Sequence, residues 1–181
     1  MALVVKKPIV MVGMMGAGKS AVGRALATRL GVPFLDSDHE IEAAAAMSIA
    51  EVFERDGEAF FRNREAEVIA RLMAEGPCVL STGGGAYLAE ANRQVISERG
   101  VAVWLRADLP LLWARVRHKT TRPLLRTDDP YATLKELCAA RNPIYALADL
   151  AVDARAEYSI EDMAGRVIEV LLGRPDLLEK R

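Results

Sequence analysis

The sequence predicts an α/β domain, a five-stranded parallel sheet covered by helices on both faces. Three observations predict it. Five short apolar runs alternate with stretches of helical periodicity. The first run ends in Gly13-Met14-Met15-Gly16-Ala17-Gly18-Lys19-Ser20, which fits G-x-x-x-x-G-K-[ST], the pattern of a phosphate-binding loop between a strand and a helix. The chain has 181 residues, 51% of them hydrophobic, enough to bury one core.

Composition narrows the function classes. Twenty-four Lys and Arg face 25 Asp and Glu, a net charge of −1, so no basic excess points to nucleic acid. No apolar run is long enough to span a bilayer. In MALVVKKP the lysines follow the apolar residues, the reverse of a secretion signal. Cys78 and Cys138 stand apart without metal-ligand spacing and read as reduced, buried thiols of a cytoplasmic protein.

Ile9-Val10-Met11-Val12 is the first, buried strand. Glycines in the loop after it let backbone N–H groups converge on a phosphate. Lys19 adds a cation, the Ser20 hydroxyl can ligate Mg²⁺, and the helix starting near Lys19 offers its positive end. A chance match to the loop pattern in a chain of this length has odds of about 1 in 150.

The first helix carries an apolar stripe and stops at Gly31. A second strand, residues 32–35, leads to Asp36-Ser37-Asp38. If the strand persists, both carboxylates lie on one face at the carboxyl edge of the sheet, where open α/β sheets bind ligands; the alternative is a solvated helix N-cap. Residues 39–47 are helical, and Ser48-Ile49-Ala50-Glu51 is a capping box opening another helix, broken at Asp56-Gly57. The helix from Glu58 to about Glu75 places Arg62 and Glu65 three apart on one face, a surface ion pair or part of an acceptor site lined by Phe53, Phe60 and Phe61.

The third strand, residues 78–82, runs into Gly83-Gly84-Gly85, where a backbone must pass very near something. The strand-end Asp that supports Mg²⁺ in many phosphate-loop proteins is missing, which leaves Asp36, or Ser20 with phosphates and water, to serve the metal. A helix over 90–99 and a fourth strand over 101–105 follow. Asp108 caps a helix with Pro110 in its first turn. The basic stretch from Arg115 to Arg126 reads as a lid that brings arginine onto phosphate, or else as a solvated basic turn; His118 within it is not assigned a role. Asp129-Pro130 starts a helix that reaches Arg141 and halts near Asn142-Pro143. The fifth strand covers 150–152, Ser159 caps the last helix, and the tail from Arg174 reads as frayed.

Six pieces together resemble one family, shikimate kinase, from the phosphate loop nearly to the end of the chain. They are GMMGAGKS at 13–20, LDSD at 35–38, GEAFFRNRE at 57–65, STGGG at 81–85, RPLL at 122–125 and ARNPIY at 140–145. The resemblance implies a phosphate-loop NTPase of the nucleoside-monophosphate-kinase-like fold, with strand order 2-3-1-4-5. It implies a single domain over 1–181, with an acceptor-binding insert at about 37–66 and a lid at about 117–130. The implied reaction is ATP-dependent phosphorylation of the shikimate 3-hydroxyl, in aromatic amino-acid biosynthesis, by a cytoplasmic monomer that uses Mg²⁺.

Residue roles come with the resemblance. Gly13 to Ser20 cradle the nucleotide, Lys19 holds phosphate, and Ser20 ligates Mg²⁺ with Asp36 supporting it through water. Asp38 binds the acceptor hydroxyls and is the candidate base. Arg62 and Arg141 hold the carboxylate of shikimate, and Glu65 orients Arg62. Gly83, Gly84 and Gly85 border the substrate, with Gly84 giving its N–H. Arg122 swings in with the lid to stabilise phosphoryl charge, and Arg115 packs on adenine. The stretch after the last strand, Asp153-Ala154-Arg155-Ala156-Glu157, lacks the proline that some relatives place against adenine.

The alternatives are a kinase of the same fold acting on gluconate or a nucleotide, and a nucleotide-binding module without transfer activity. A purely structural protein has no use for the loop.

Overall fold

The computed structural model of the chain describes residues 2–118 and 125–181. Its centre is β2 (Ile9–Val12), four residues wholly shut off from solvent. A strand this apolar on both faces belongs inside a parallel sheet. It pairs with β4 (Val79–Ser81) on one side and β5 (Val101–Arg106) on the other, Ile9 standing opposite both Val79 and Val101. Beyond these lie β3 (Phe34–Asp36) and β6 (Leu150–Asp153), giving five parallel strands in the order β3-β4-β2-β5-β6. Counted along these five strands, that is the expected 2-3-1-4-5. All carboxyl ends point one way, so the segments after Val12, Asp36 and Ser81 share one edge of the sheet.

The helices follow from local chemistry. α1 (Lys19–Leu30) ends on Gly31 in the left-handed region, φ 67°, ψ 33°. α2 (Ser37–Ala45) is capped by Asp36. α3 (Ile49–Ala74) is capped by Ser48 and bends at Gly57, φ 86°, the break expected from the sequence. A short 3₁₀ turn (Ala86–Leu88) leads into α4 (Glu90–Arg99). α5 (Leu109–Val116) starts on the Asp108 cap and α7 (Ile160–Leu172) on a complete Ser159–Asp162 capping box. α1 packs against α7, and α3 against α4. Cys78 and Cys138 are buried free thiols, as expected, and burial pushes the Cys78 thiol up to about 11.

Three expectations are corrected. The strand before Asp38 does not persist: β3 ends at Asp36 and Asp38 already lies in the first turn of α2, because the Asp36 side chain takes the orphan N–H groups there. α6 (Pro130–Tyr145) does not halt at Asn142-Pro143. Pro143 lies so close to the helix end that little hydrogen bonding is lost, and the fully buried Tyr145 anchors the last turn. The tail is not frayed. Leu177 and Leu178 are buried, and β7 (Leu178–Lys180) pairs antiparallel with β1 (Leu3–Val5) in a second, two-stranded sheet.

Candidate active site

The phosphate loop takes the form the glycines allow. Gly16 and Gly18 have φ of 82° and 98°, which few other residues adopt. Lys19 Nζ donates to the Gly13 carbonyl at 2.6 Å. Arg115, from α5, donates to the Gly16 and Ala17 carbonyls at 3.0 and 3.2 Å and so braces the loop. Met14 to Val22 and Arg115 line one hollow of about 500 Å³, closed by Tyr158, Ser159, Ile160 and Met163 at the start of α7. Residues 153–157, which lack the proline that some relatives place against adenine, line a different cleft, with Trp104 and Arg106; Tyr158, Ile160 and Met163 were not singled out from the sequence. The signal for the missed residues was the Ser159 capping box, which fixes where α7 begins.

A second hollow of about 290 Å³ shares Met15, Lys19 and Ser20 with the first and is otherwise lined by Asp36, Asp38, Arg62, Ser81, Thr82, Gly83, Gly84, Gly85 and Arg141. Residues from five separate segments converge here because the strand ends bring them to one edge. Asp36 Oδ1 accepts from the N–H groups of Asp38 and His39, at 2.9 and 3.2 Å, so it is an N-cap and a wall of the hollow at once. Ser20 and Ser81 hydroxyls lie 3.4 Å apart. Ser81 was not singled out from the sequence, although it stands in register beside both Met11 and Asp36.

Burial, then the nearby Asp36 carboxylate, holds the Asp38 carboxyl above the ordinary aspartate value, while Lys19 and Arg62 pull it back. Arg62 Nη1 donates to Glu65 Oε1 at 2.9 Å. Glu65 is 1% exposed, so this is no solvated surface pair: a buried carboxylate fixes one edge of a guanidinium that lines the hollow, while Nε lies 3.8 Å from Glu58 Oε1. Burial raises the Glu65 carboxyl and the Arg62 hydrogen bond lowers it.

The three glycines each make way for one charged side chain. A Cβ on Gly83 would stand 2.8 Å from Asp38 Oδ1, and one on Gly84 would stand 3.1 Å from Arg141 Nη1. Every expected site residue among the described ones is therefore gathered at this edge, lining the two hollows, with Glu65 behind Arg62 and Gly13 under Lys19. Arg122 and part of the expected lid, residues 119–124, lie outside the described residues.

The family model described as shikimate kinase matches residues 15–172. The chain belongs to the shikimate kinase family. It is 69% identical to the shikimate kinase of Ruegeria pomeroyi over 98% of this chain and 91% of that one. To the shikimate kinase of Cereibacter sphaeroides it is 64% identical, over 96% and 87%. A shikimate kinase from Acinetobacter baumannii, solved in complex with shikimate, superposes with a TM-score of 0.86 at 38% identity, covering 93% of this chain and 94% of that one.

Proposed function

We propose that this chain transfers the γ-phosphoryl group of ATP to the 3-hydroxyl of shikimate, the step expected of a shikimate kinase in aromatic amino-acid biosynthesis. The observation that carries the reading is the hollow shared by Lys19, Asp38, Arg62, Arg141 and the glycine run, adjoining the phosphate loop. Phosphoryl transfer asks a protein to position reactants and neutralise charge. The loop amides and Lys19 take the triphosphate. Two guanidinium groups suit a carboxylate, which each can grip through paired N–H donors. Asp38, whose carboxyl burial holds above the ordinary aspartate value, takes the proton of the acceptor hydroxyl as it attacks. Holding that hydroxyl in line supplies up to about 7–11 kcal/mol of the rate enhancement.

The donor set also fits a hard cation. Ser20, Asp36 and Ser81 present oxygens to one hollow. Among the described residues no three His, Cys, Asp or Glu side chains form a metal cluster, so Mg²⁺ would be held jointly with phosphates by Ser20, and through water by Asp36. Its chemistry there is neutralisation of phosphate charge. Among the described residues no helix is long and apolar enough to cross a membrane.

Incubation with ATP, Mg²⁺ and shikimate, following ADP, tests the proposal. ADP release that requires shikimate and that gluconate does not replace is the expected result. Release indifferent to shikimate, or none, refutes it.

A further inference from the structure

Tyr145 is fully buried at the end of α6, yet its hydroxyl reaches Gly84, which lines the acceptor hollow. Its hydroxyl donates to the Gly84 carbonyl at 2.6 Å. The Arg141 guanidinium, one turn earlier on the helix, flanks the same glycine: a Cβ on Gly84 would stand 3.1 Å from Arg141 Nη1 and 3.7 Å from the Tyr145 hydroxyl oxygen. A phenol has one proton to give and lone pairs to receive, so the hydroxyl can donate to Gly84 and still accept from the guanidinium beside it. Burial raises the hydroxyl further above its ordinary value, so it keeps the proton it donates. The ring is held in turn by Trp104 of β5, with centroids 6.2 Å apart.

We propose that Tyr145 is a positioning residue for the acceptor: its hydroxyl ties Arg141 to the glycine wall and so holds the guanidinium in its gripping orientation. Without the hydroxyl, Arg141 keeps its charge and loses its brace. A flexible guanidinium then samples several rotamers, and only one faces the carboxylate. The peptide after Gly84 is anchored by the same bond; being trans, it directs the Gly85 N–H away from α6. This inference rests on the reading that Arg141 grips the acceptor's carboxylate.

Tyr145→Phe keeps the ring, the contact with Trp104 and the volume, and removes only the hydroxyl. It is to be assayed beside Arg141→Ala and the double variant, with steady-state constants for both substrates and shikimate affinity by calorimetry without nucleotide. The expected result is a rise of about tenfold in the shikimate KM and dissociation constant, with the ATP KM within about twofold of the parent. In the Arg141→Ala background the added effect shrinks to about twofold or less, since the two residues act as one unit. An unchanged shikimate constant in Tyr145→Phe overturns the proposal. So does an equal rise for ATP, which a general loosening of the fold would give, or a full effect persisting without Arg141. Should Arg141→Ala itself leave shikimate binding intact, the carboxylate reading falls, and with it the role of Tyr145.

Discussion

Arg62 occupies the space that a side chain on Gly85 would need: a Cβ there would lie 2.5 Å from Nη2 and 2.7 Å from Nη1. The Gly85 backbone is ordinary right-handed helical, φ −87°, ψ −11°, and would accept alanine. What keeps the position bare is the guanidinium beside it.

Gly85→Ala therefore acts on function more than on folding. The end of a long side chain yields more cheaply than backbone, so the Arg62 guanidinium is pushed off its place in the hollow, and its hydrogen bond to the buried Glu65 limits the fall in Tm. The shikimate KM rises about tenfold, as for the loss of one charge-assisted hydrogen bond, and the ATP KM stays level. An unmoved shikimate KM would mean that Arg62 holds the acceptor from some other rotamer.

Asp38→Asn should lose turnover by a factor of about 10²–10⁴ and gain stability. The sign follows from linkage. The native carboxyl titrates above its unfolded value because burial penalises its charge. Between the two values the native state binds more protons, so stability falls as pH rises through that window, and the charge is carried at a cost at pH 7. Thermal unfolding at pH 7 checks it: a variant no more stable than the parent counts against this account.

The pH profile carries an independent check. The acid limb of kcat/KM for shikimate should have an apparent pKa above 3.8, the ordinary value for aspartate. A limb at or below that value would remove Asp38 as the base.

Glu65→Gln keeps the shape of the buried side chain and removes its charge. Arg62 is then held by a weaker, neutral acceptor, and the shikimate KM should rise by about three- to tenfold with the ATP KM unchanged. Equal constants in parent and variant would leave Glu65 a packing residue only.

Leu178→Ala reports on the tail. A buried leucine truncated to alanine costs about 2–5 kcal/mol, whereas one in a frayed tail costs about 0.5 or less. Denaturant unfolding separates the two, and the kinetic constants should not move.

Much of the fold was legible because each strand end carries a local signal: glycines after Val12 and Ser81, a capping Asp36 after Leu35. The bend at Gly57 was legible for the same reason. What escaped depends on partners distant in sequence. A tail of charged residues around Leu177 and Leu178 looks solvated until β1 is seen beside it. Pro143 reads as a stop unless the burial of Tyr145 is known. Arg62 with Glu65 read as surface pair or site, and the burial of Glu65 excludes a solvated surface pair. Ser81 and Tyr145 lie within the pieces STGGG and ARNPIY, but no local periodicity gives them a role: Ser81 joins the hollow's wall only through the sheet register, and the Tyr145 hydroxyl meets Gly84 only once α6 is formed.

The bond from Lys19 to the Gly13 carbonyl bears on how tightly a nucleotide can be held. A lysine immobilised from a mobile state forfeits up to about 2 kcal/mol of rotational freedom. Here the bond to the Gly13 carbonyl fixes the ammonium beside the loop as part of the fold, so that loss belongs to folding and is not subtracted again from affinity. A nucleotide entering the loop meets a charge whose direction is settled, and needs only to draw it from one oxygen to another.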